Sequence, residues 1–500
     1  MVTTSRPEPV FSDLDPTPVW AHFATLCRTP RQSKAEHALR DHLLGWAAGC
    51  GLTAAVDAAG NLLLRKAASA GCEEAPGVIL QAHLDMVCQK NAGTEHDFAR
   101  DPIRPTLRDG WLVADETTLG ADNGIGVALI LAALEDRSLA HGPLEALLTV
   151  DEEAGMGGAR GVARGWLQGS VLLNLDTEEW GDFYVGCAGG VDVEVQRPGV
   201  AQVLPADCEC WRIELFGLRG GHSGVDIHEE RGNAIKLLVR IVRDLEKRWP
   251  LRLAGLAGGS ARNALPREAS ATVVLPAGMA DVLAAALASW QSRLREQCSG
   301  VDEGLMLRVL PAGANALLAP EEQAIWLASL NAAPHGVWRR SRRVAGVVET
   351  SNNLGIALIT PENGYCNFMV RSLDDSGSED LADEIVSLFA LSGTAALKSG
   401  EYPGWAPDPS SPLLALCQSV YRHEFADEAR VQVIHAGLEC GLIGAAYPQL
   451  QMISFGPTIR GAHAPGEQVE VASVARCWRL LSALLRALGG PSATAAKWST

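Results

Sequence analysis

The residue pattern predicts an α/β fold: a mostly parallel sheet covered by helices, interrupted by an inserted α+β domain. Three observations carry that expectation. In the first 190 residues, strands apolar on both faces, "GVILQ" (77–81), "LEALLTV" (144–150) and "VLLNL" (171–175), alternate with helical segments. Strands without a polar face must be covered on both sides, the usual condition of a parallel sheet. Between about 190 and 400 the strands alternate in polarity instead, and after the Pro- and Ser-rich "YPGWAPDPSSP" (402–412) the first texture returns.

The elements follow in chain order. Ser33 and Glu36 have the spacing of a capping box, and Leu39, Leu43, Leu44 and Ala47 mark one face of a helix that Gly51 ends. "GIGVALILAALED" (124–136) reads as a helix buried on most sides. "WRIELFGL" (211–218) and "SATVVLP" (270–276) read as half-buried antiparallel strands beside the amphipathic helix "NAIKLLVRIVRDLEKRW" (233–249). The expected division is one domain over 1–190 and 401–500, with a second inserted over 191–400. No short repeat is visible.

Composition narrows the function classes. Five hundred residues exceed what one hydrophobic core organises. With 42 basic and 59 acidic side chains, the net charge is −17, which argues against nucleic-acid or anionic-membrane partners, since both rely on clustered Lys and Arg. "MVTTSRPEPVFSDLDPTPVW" has no basic stretch followed by an apolar one, so no secretory signal is expected. Of twelve cysteines only Cys208 and Cys210 are close, without zinc-knuckle or redox spacing. Reduced, mostly buried thiols in a cytoplasmic enzyme are expected.

The chemistry gathers where the strands end. His83 and Asp85 follow the first apolar run, and Asp122 in "TLGADNGIG" precedes a helix. Glu152 and Glu153 follow "LEALLTV", Asp176 follows "VLLNL", and His463 lies in the glycine-rich "SFGPTIRGAHAPGE". Ligands of open α/β sheets bind beyond the carboxyl ends of the strands, and so many charges converging there repel unless something positive sits among them. Five candidate ligands exceed the three that a catalytic zinc takes from protein. If Asp122 bridges two ions, His83 and Asp176 hold one and Glu153 and His463 the other. Two ions about 3.5–4 Å apart would activate a shared water; Asp85 would orient His83, and Glu152 would be the general base. Nitrogen and oxygen ligands without thiolate suit Zn²⁺, with Mn²⁺ or Co²⁺ as substitutes. "HEERG" lacks the second histidine of a zincin helix and "GGHSG" is not a serine-hydrolase elbow.

Together, "HLDMV", "LGADNGIGVA", "DEEAGMGGA", "NLDTEE", "GGHSG" and "GAHAPGE" resemble the M20 metallopeptidases, and within them the aminoacyl-histidine (Xaa-His) dipeptidase group. The resemblance runs over nearly the whole chain. It implies two Zn²⁺ per subunit on His83, Asp122, Glu153, Asp176 and His463, with Asp85 and Glu152 catalytic and a cis peptide at Asp122–Asn123. It makes the inserted domain a lid whose His222, in "GGHSG", stabilises the oxyanion. Asn263 of "RNALP" and Arg371 of "MVRS" would grip the substrate's terminal carboxylate, and Glu439 of "HAGLECG" would meet its amine. The implied reaction is hydrolysis of small dipeptides, Xaa-His and β-alanyl-histidine included. A tripeptidase or an N-acyl amino acid deacylase on the same scaffold is the alternative, because a metal cluster reads the bond and not its flanks. A cytoplasmic homodimer is implied, with His222 serving either its own chain's ions or a partner's.

Overall fold

The computed structural model describes residues 9–490; residues 1–8 and 491–500 of the first and last expected segments lie outside them. Backbone packing divides the chain into two compact units, one of Met1–Gly186, Pro407–Val433 and Leu438–Thr500, the other of Cys187–Ala406 and Ile434–Gly437. The expected boundaries stood at 190 and 400. The difference lies in Cys187 and Trp405, which pair outside the named strands, and in a four-residue return, 434–437, that no composition change marks.

The first unit is built on an eight-stranded sheet. Its four central strands, Leu144–Thr149, Val78–His83, Val171–Asn174 and Gln451–Ser454, are parallel neighbours. Every residue of the first three is buried, which is why they read as unbroken apolar runs. Parallel character stops at the margins. Thr53–Val56 and Leu62–Lys66 form an antiparallel hairpin, the direction a turn of a few residues permits, and Leu62–Lys66 also joins Leu144–Thr149 antiparallel. Registers place His83 opposite Thr149 and Gln81 opposite Asn174, so the segments beyond all leave from one edge.

Helix Ala121–Glu135 is buried on nearly all sides, as its sequence requires. Helix His37–Cys50 buries Leu39, Leu43 and Ala47 and ends at Gly51, whose φ of 76° suits glycine. Its expected capping box does not form. The Ser33 hydroxyl donates to Asp85 Oδ2 at 2.8 Å, and Glu36 Oε1 accepts the N–H groups of Lys34 and Asp151, each at 2.9 Å. Ser33 serves the buried Asp85 carboxylate, and the buried Glu36 carboxylate is itself satisfied by two part-buried N–H groups, whereas helix first-turn N–H groups can bond to water.

The second unit contains an antiparallel sheet with a duplicated plan. Cys208–Phe216, helix Ala234–Arg248, Arg252–Gly258, Ala269–Pro276, helix Ala280–Gln297 and Met306–Pro311 form one βαββαβ half. Gly189–Pro198, helix Pro320–Ala332, Val348–Ile359, Asn363–Ser372, helix Asp375–Ala390 and Ala395–Tyr402 form the other. Each half has its strands in the order fourth, first, third, second. Their second strands pair antiparallel, Leu256 opposite Ile359 and Gly258 opposite Ala357, and the first half is inserted after the first strand of the other. The sequence shows no repeat because only the alternation of polarity needs to be shared. Ile213 and Leu215 join the helices in one core, while Arg212 and Glu214 face the other way.

The twelve cysteines form no disulfide; six are buried and six half-buried, fewer than expected. No helix among the described residues is long and apolar enough to cross a membrane.

Candidate metal centre

His83 closes its strand with 1% exposure. Its Nε2 lies 3.2 Å from Asp122 Oδ1 and 3.3 Å from Asp176 Oδ1. His463 sits at the tip of the hairpin formed by Ile459–Arg460 and Gln468–Glu470. Its Nε2 lies 3.1 Å from Asp122 Oδ2 and 3.2 Å from Glu153 Oε2. Asp122 thus turns one oxygen to each imidazole. His83, Asp122 and Asp176 offer ligand atoms all within 4.8 Å of one another, and so do Asp122, Glu153 and His463. The five residues are thus brought together in two sets that share Asp122. A third set joins His83, Glu152 and Glu153.

The donor chemistry fits divalent cations that accept imidazole nitrogen and carboxylate oxygen. Glu153 Oε1 is buried without a hydrogen-bond partner, a lone pair left over for a ligand bond. The electrostatics point the same way. Burial raises Glu152 well above the carboxylate range, with Asp176, Glu439 and Glu153 adding to it. Burial also pushes Asp176 up to about 6 against the pull of His83, and Glu178 up to about 8 with Asp122 beside it. Hydrogen bonds to Asp122 and then Glu153 push His463 up to about 11. A bound cation would reverse that logic, favouring carboxylates and neutral imidazoles.

Asp85 has 0% exposure. Its Oδ1 is 3.5 Å from His83 Nδ1 and accepts the Glu152 N–H at 3.0 Å. Its Oδ2 accepts from Glu153 N–H at 3.1 Å and from Ser33. The His83 Nδ1 also lies 3.2 Å from the Asp85 main-chain carbonyl, and the Asp85 carboxylate anchors the loop carrying Glu152 and Glu153.

Several residues of the centre were not singled out from the sequence. Asn123, 2% exposed, follows a cis peptide from Asp122 and donates to Asp176 Oδ1. Gly126 leaves it room, since a Cβ there would collide with Asn123 Oδ1 and the Leu175 carbonyl. Arg31 and Glu467 hold the loop before Asp122. Glu467 stands inside the "GAHAPGE" motif and Asn123 inside "ADNG", so their motifs were visible and their tasks were not; Arg31 carries no motif.

Glu439 opens helix Glu439–Ala446 with 0% exposure. Its Oε2 accepts from Gln81 Nε2 and Thr149 Oγ1, both at 2.6 Å, so the carboxylate lies among strand side chains in the sheet. Its Oε1 is buried without a hydrogen-bond partner, so one oxygen of the carboxylate is committed to the sheet and the other is not.

His222, Asn263 and Arg371 belong to the second unit, where they are neighbours. His222 Nδ1 accepts from the N–H groups of Gly224 (3.2 Å) and Val225 (3.0 Å). The proton of the neutral ring must then sit on Nε2. Burial, followed by the charge of Arg371, lowers His222 to about 4. Arg371 is 4% exposed, donates to Tyr402 Oη at 2.8 Å, and keeps a buried, unpartnered Nε. Asn263 is exposed; its carbonyl accepts the Ser223 N–H at 2.8 Å.

Comparisons with known proteins agree on the family. Residues 79–487 match peptidase family M20/M25/M40. The cytosol non-specific dipeptidase of Escherichia coli (strain K12) is 45% identical over 477 residues, covering 95% of this chain and 98% of the relative. The crystal structure of aminoacylhistidine dipeptidase from Vibrio alginolyticus superposes with a TM-score of 0.88 at 42% identity, covering 95% of this chain and 98% of that one. Aminopeptidase PepT from Bacillus cereus ATCC 10987 shares the fold, with a TM-score of 0.55 at 15% identity over 95% of this chain and 100% of that one. The chain belongs to the M20/M25/M40 peptidase family and is a peptide-bond hydrolase.

Proposed function

We propose that the chain is a two-metal cytoplasmic dipeptidase acting on small dipeptides, Xaa-His and β-alanyl-histidine among them, as a homodimer. One observation carries the reading: two three-residue ligand sets overlap in a single residue, Asp122. His83 and Asp176 complete one set, Glu153 and His463 the other, and Zn²⁺ is the first choice, with Co²⁺ or Mn²⁺ as substitutes. A pair of divalent cations on these residues would lower the pKa of water and draw electron density from a carbonyl oxygen.

The chain's own groups supply the remaining steps. Glu152, its carboxylate beside the ligands, takes a proton from the attacking water. The water oxygen bonds to the scissile carbonyl carbon, the C–N bond breaks, and Glu152 returns the proton to the departing nitrogen. His222, with its proton on Nε2, is suited to donate to the carbonyl oxygen as charge develops there. Arg371 offers an uncommitted Nε, and with Asn263 it would bind the terminal carboxylate. The dipeptide class follows the names of the Escherichia coli and Vibrio alginolyticus relatives, and the cytoplasmic location follows the first of them.

Metal analysis of the purified chain joined to a substrate panel tests this. Expected are about two divalent ions per chain and chelator-sensitive hydrolysis of β-alanyl-histidine and other dipeptides, with little on tripeptides or N-acetylated amino acids. A preference for either of the last two classes would overturn the substrate assignment. Full turnover by a metal-loaded Glu152→Ala variant would remove that residue from its role.

A further inference from the structure

The loop that carries Asp122 is gripped from both sides by buried charges to which the hydrolytic scheme gives no task. Arg31, 2% exposed, donates through Nη1 to the carbonyls of Leu84 at 3.1 Å and Asp85 at 3.0 Å. Through Nη2 it donates to the carbonyl of Gly120 at 2.5 Å. Glu467, also 2% exposed, accepts four successive N–H groups, those of Leu119 (2.8 Å), Gly120 (3.0 Å), Ala121 (2.8 Å) and Asp122 (3.3 Å). Every hydrogen bond shown for these two side chains goes to main chain. Gly120 is held at both ends, its carbonyl by the cation and its N–H by the anion. Only glycine fits there: φ is 69°, and a Cβ would collide with Arg31 Nη2 and lie 2.8 Å from Met86 Sδ.

A buried charge is costly alone, and opposite charges linked through peptide dipoles relieve each other. The two side chains also connect the ligand-bearing segments. Arg31 holds the backbone of Asp85, whose carboxylate anchors Glu152 and Glu153. Glu467 stands four residues beyond His463, and by accepting the Asp122 N–H it sets where the shared carboxylate begins.

We propose that Arg31 and Glu467 are a coupled pair of positioning residues that hold Asp122 between the two halves of the centre and thereby set its affinity for metal. This rests on the reading of His83, Asp122, Glu153, Asp176 and His463 as metal ligands. If the pair acts only as a helix cap and a loop tie, its loss lowers melting temperature and leaves the affinity of the folded chain for metal unchanged.

The test is a double-mutant cycle on the full-length apo chain with Arg31→Lys, Glu467→Gln and the combination. Lys keeps the charge but cannot reproduce the fork of donors, and Gln keeps the shape but loses an acceptor. Zn²⁺ is titrated in competition with a chromophoric chelator, and circular dichroism follows the melting of each apo protein. Expected is at least a ten-fold weaker affinity for Zn²⁺ in each folded single variant, with the double variant no more than about three-fold weaker than the worse single, the signature of coupling. A loss under ten-fold in either folded single variant, or a double variant more than about three-fold weaker than the worse single, overturns the proposal. So do apo variants that do not fold, since the pair would then brace the whole unit. A wild-type chain that takes up no Zn²⁺ would instead sink the metal reading beneath it.

Discussion

Replacing Asp85 with asparagine isolates how much of the centre depends on one carboxylate that no substrate could reach. The exchange preserves shape in a site of 0% exposure, so repacking contributes little. Both native oxygens accept: Oδ1 from the Glu152 N–H and Oδ2 from the Glu153 N–H and the Ser33 hydroxyl. Whichever way the amide turns, its NH₂ confronts one of those backbone donors. One hydrogen bond to a charged acceptor is lost, roughly 1.5–3 kcal/mol, and one buried N–H is left unpaired, about 1–3 kcal/mol. His83 Nδ1 also loses the negative charge 3.5 Å away. A combined penalty of about 2.5–6 kcal/mol, if it falls on the transition state, is a loss of roughly 10²- to 10⁴-fold in kcat/KM. The assay is hydrolysis of β-alanyl-histidine at saturating Zn²⁺, with metal content and Tm measured on the same samples. A metal-loaded Asp85→Asn variant with kcat/KM within three-fold of wild type would refute the reasoning.

Gly126→Ala should cost about 1–3 kcal/mol through overpacking and move Asn123 off Asp176; chemical denaturation measures the first effect and Zn²⁺ affinity the second. Arg371→Met should lower kcat/KM for dipeptides about ten- to hundred-fold by removing charged hydrogen bonds of roughly 1.5–3 kcal/mol; the difference should vanish with dipeptide amides, which lack the carboxylate. His335 is lowered to about 3 by burial and then Lys236, and His435 to about 3 by burial and then Arg371. Since both folded values lie below the ordinary 6.5, the unfolded chain binds protons first. The stability these residues contribute is full above about pH 7 and is lost as pH falls from 6.5 toward 3, by roughly 2–3 kcal/mol per histidine at pH 4.5. Urea midpoints at pH 7.5 and 4.5 should converge in the His335→Gln/His435→Gln variant; an unchanged pH dependence would contradict the assignment.

What the sequence by itself determined is what local patterning can express. Runs such as "VIL" (78–80) and "VLL" (171–173) are apolar at successive positions and must be buried on both sides, so the covered sheet was legible. His83, Glu153 and Asp176 follow such runs, Asp122 precedes a helix and His463 lies on a glycine-rich loop, and the coincidence of all five let them be read as one cluster before any of them was located. Their approach depends on strand register, His83 opposite Thr149 and Gln81 opposite Asn174, which apolar runs do not encode. Tertiary structure alone decided the partners of buried polar groups. Ser33 and Glu36 spell a helix cap, yet Asp85 and the Asp151 N–H claim them, because an unpaired group in the interior costs more than one facing water. Glu439 has its Oε2 tied to Gln81 and Thr149 while its Oε1 has no partner, an arrangement its motif does not spell. Arg31 and Glu467, 436 positions apart, meet on one glycine, and the two halves of the second unit share strand order without sharing sequence. A side chain's chemistry is local, but the atom that satisfies it is chosen by the fold.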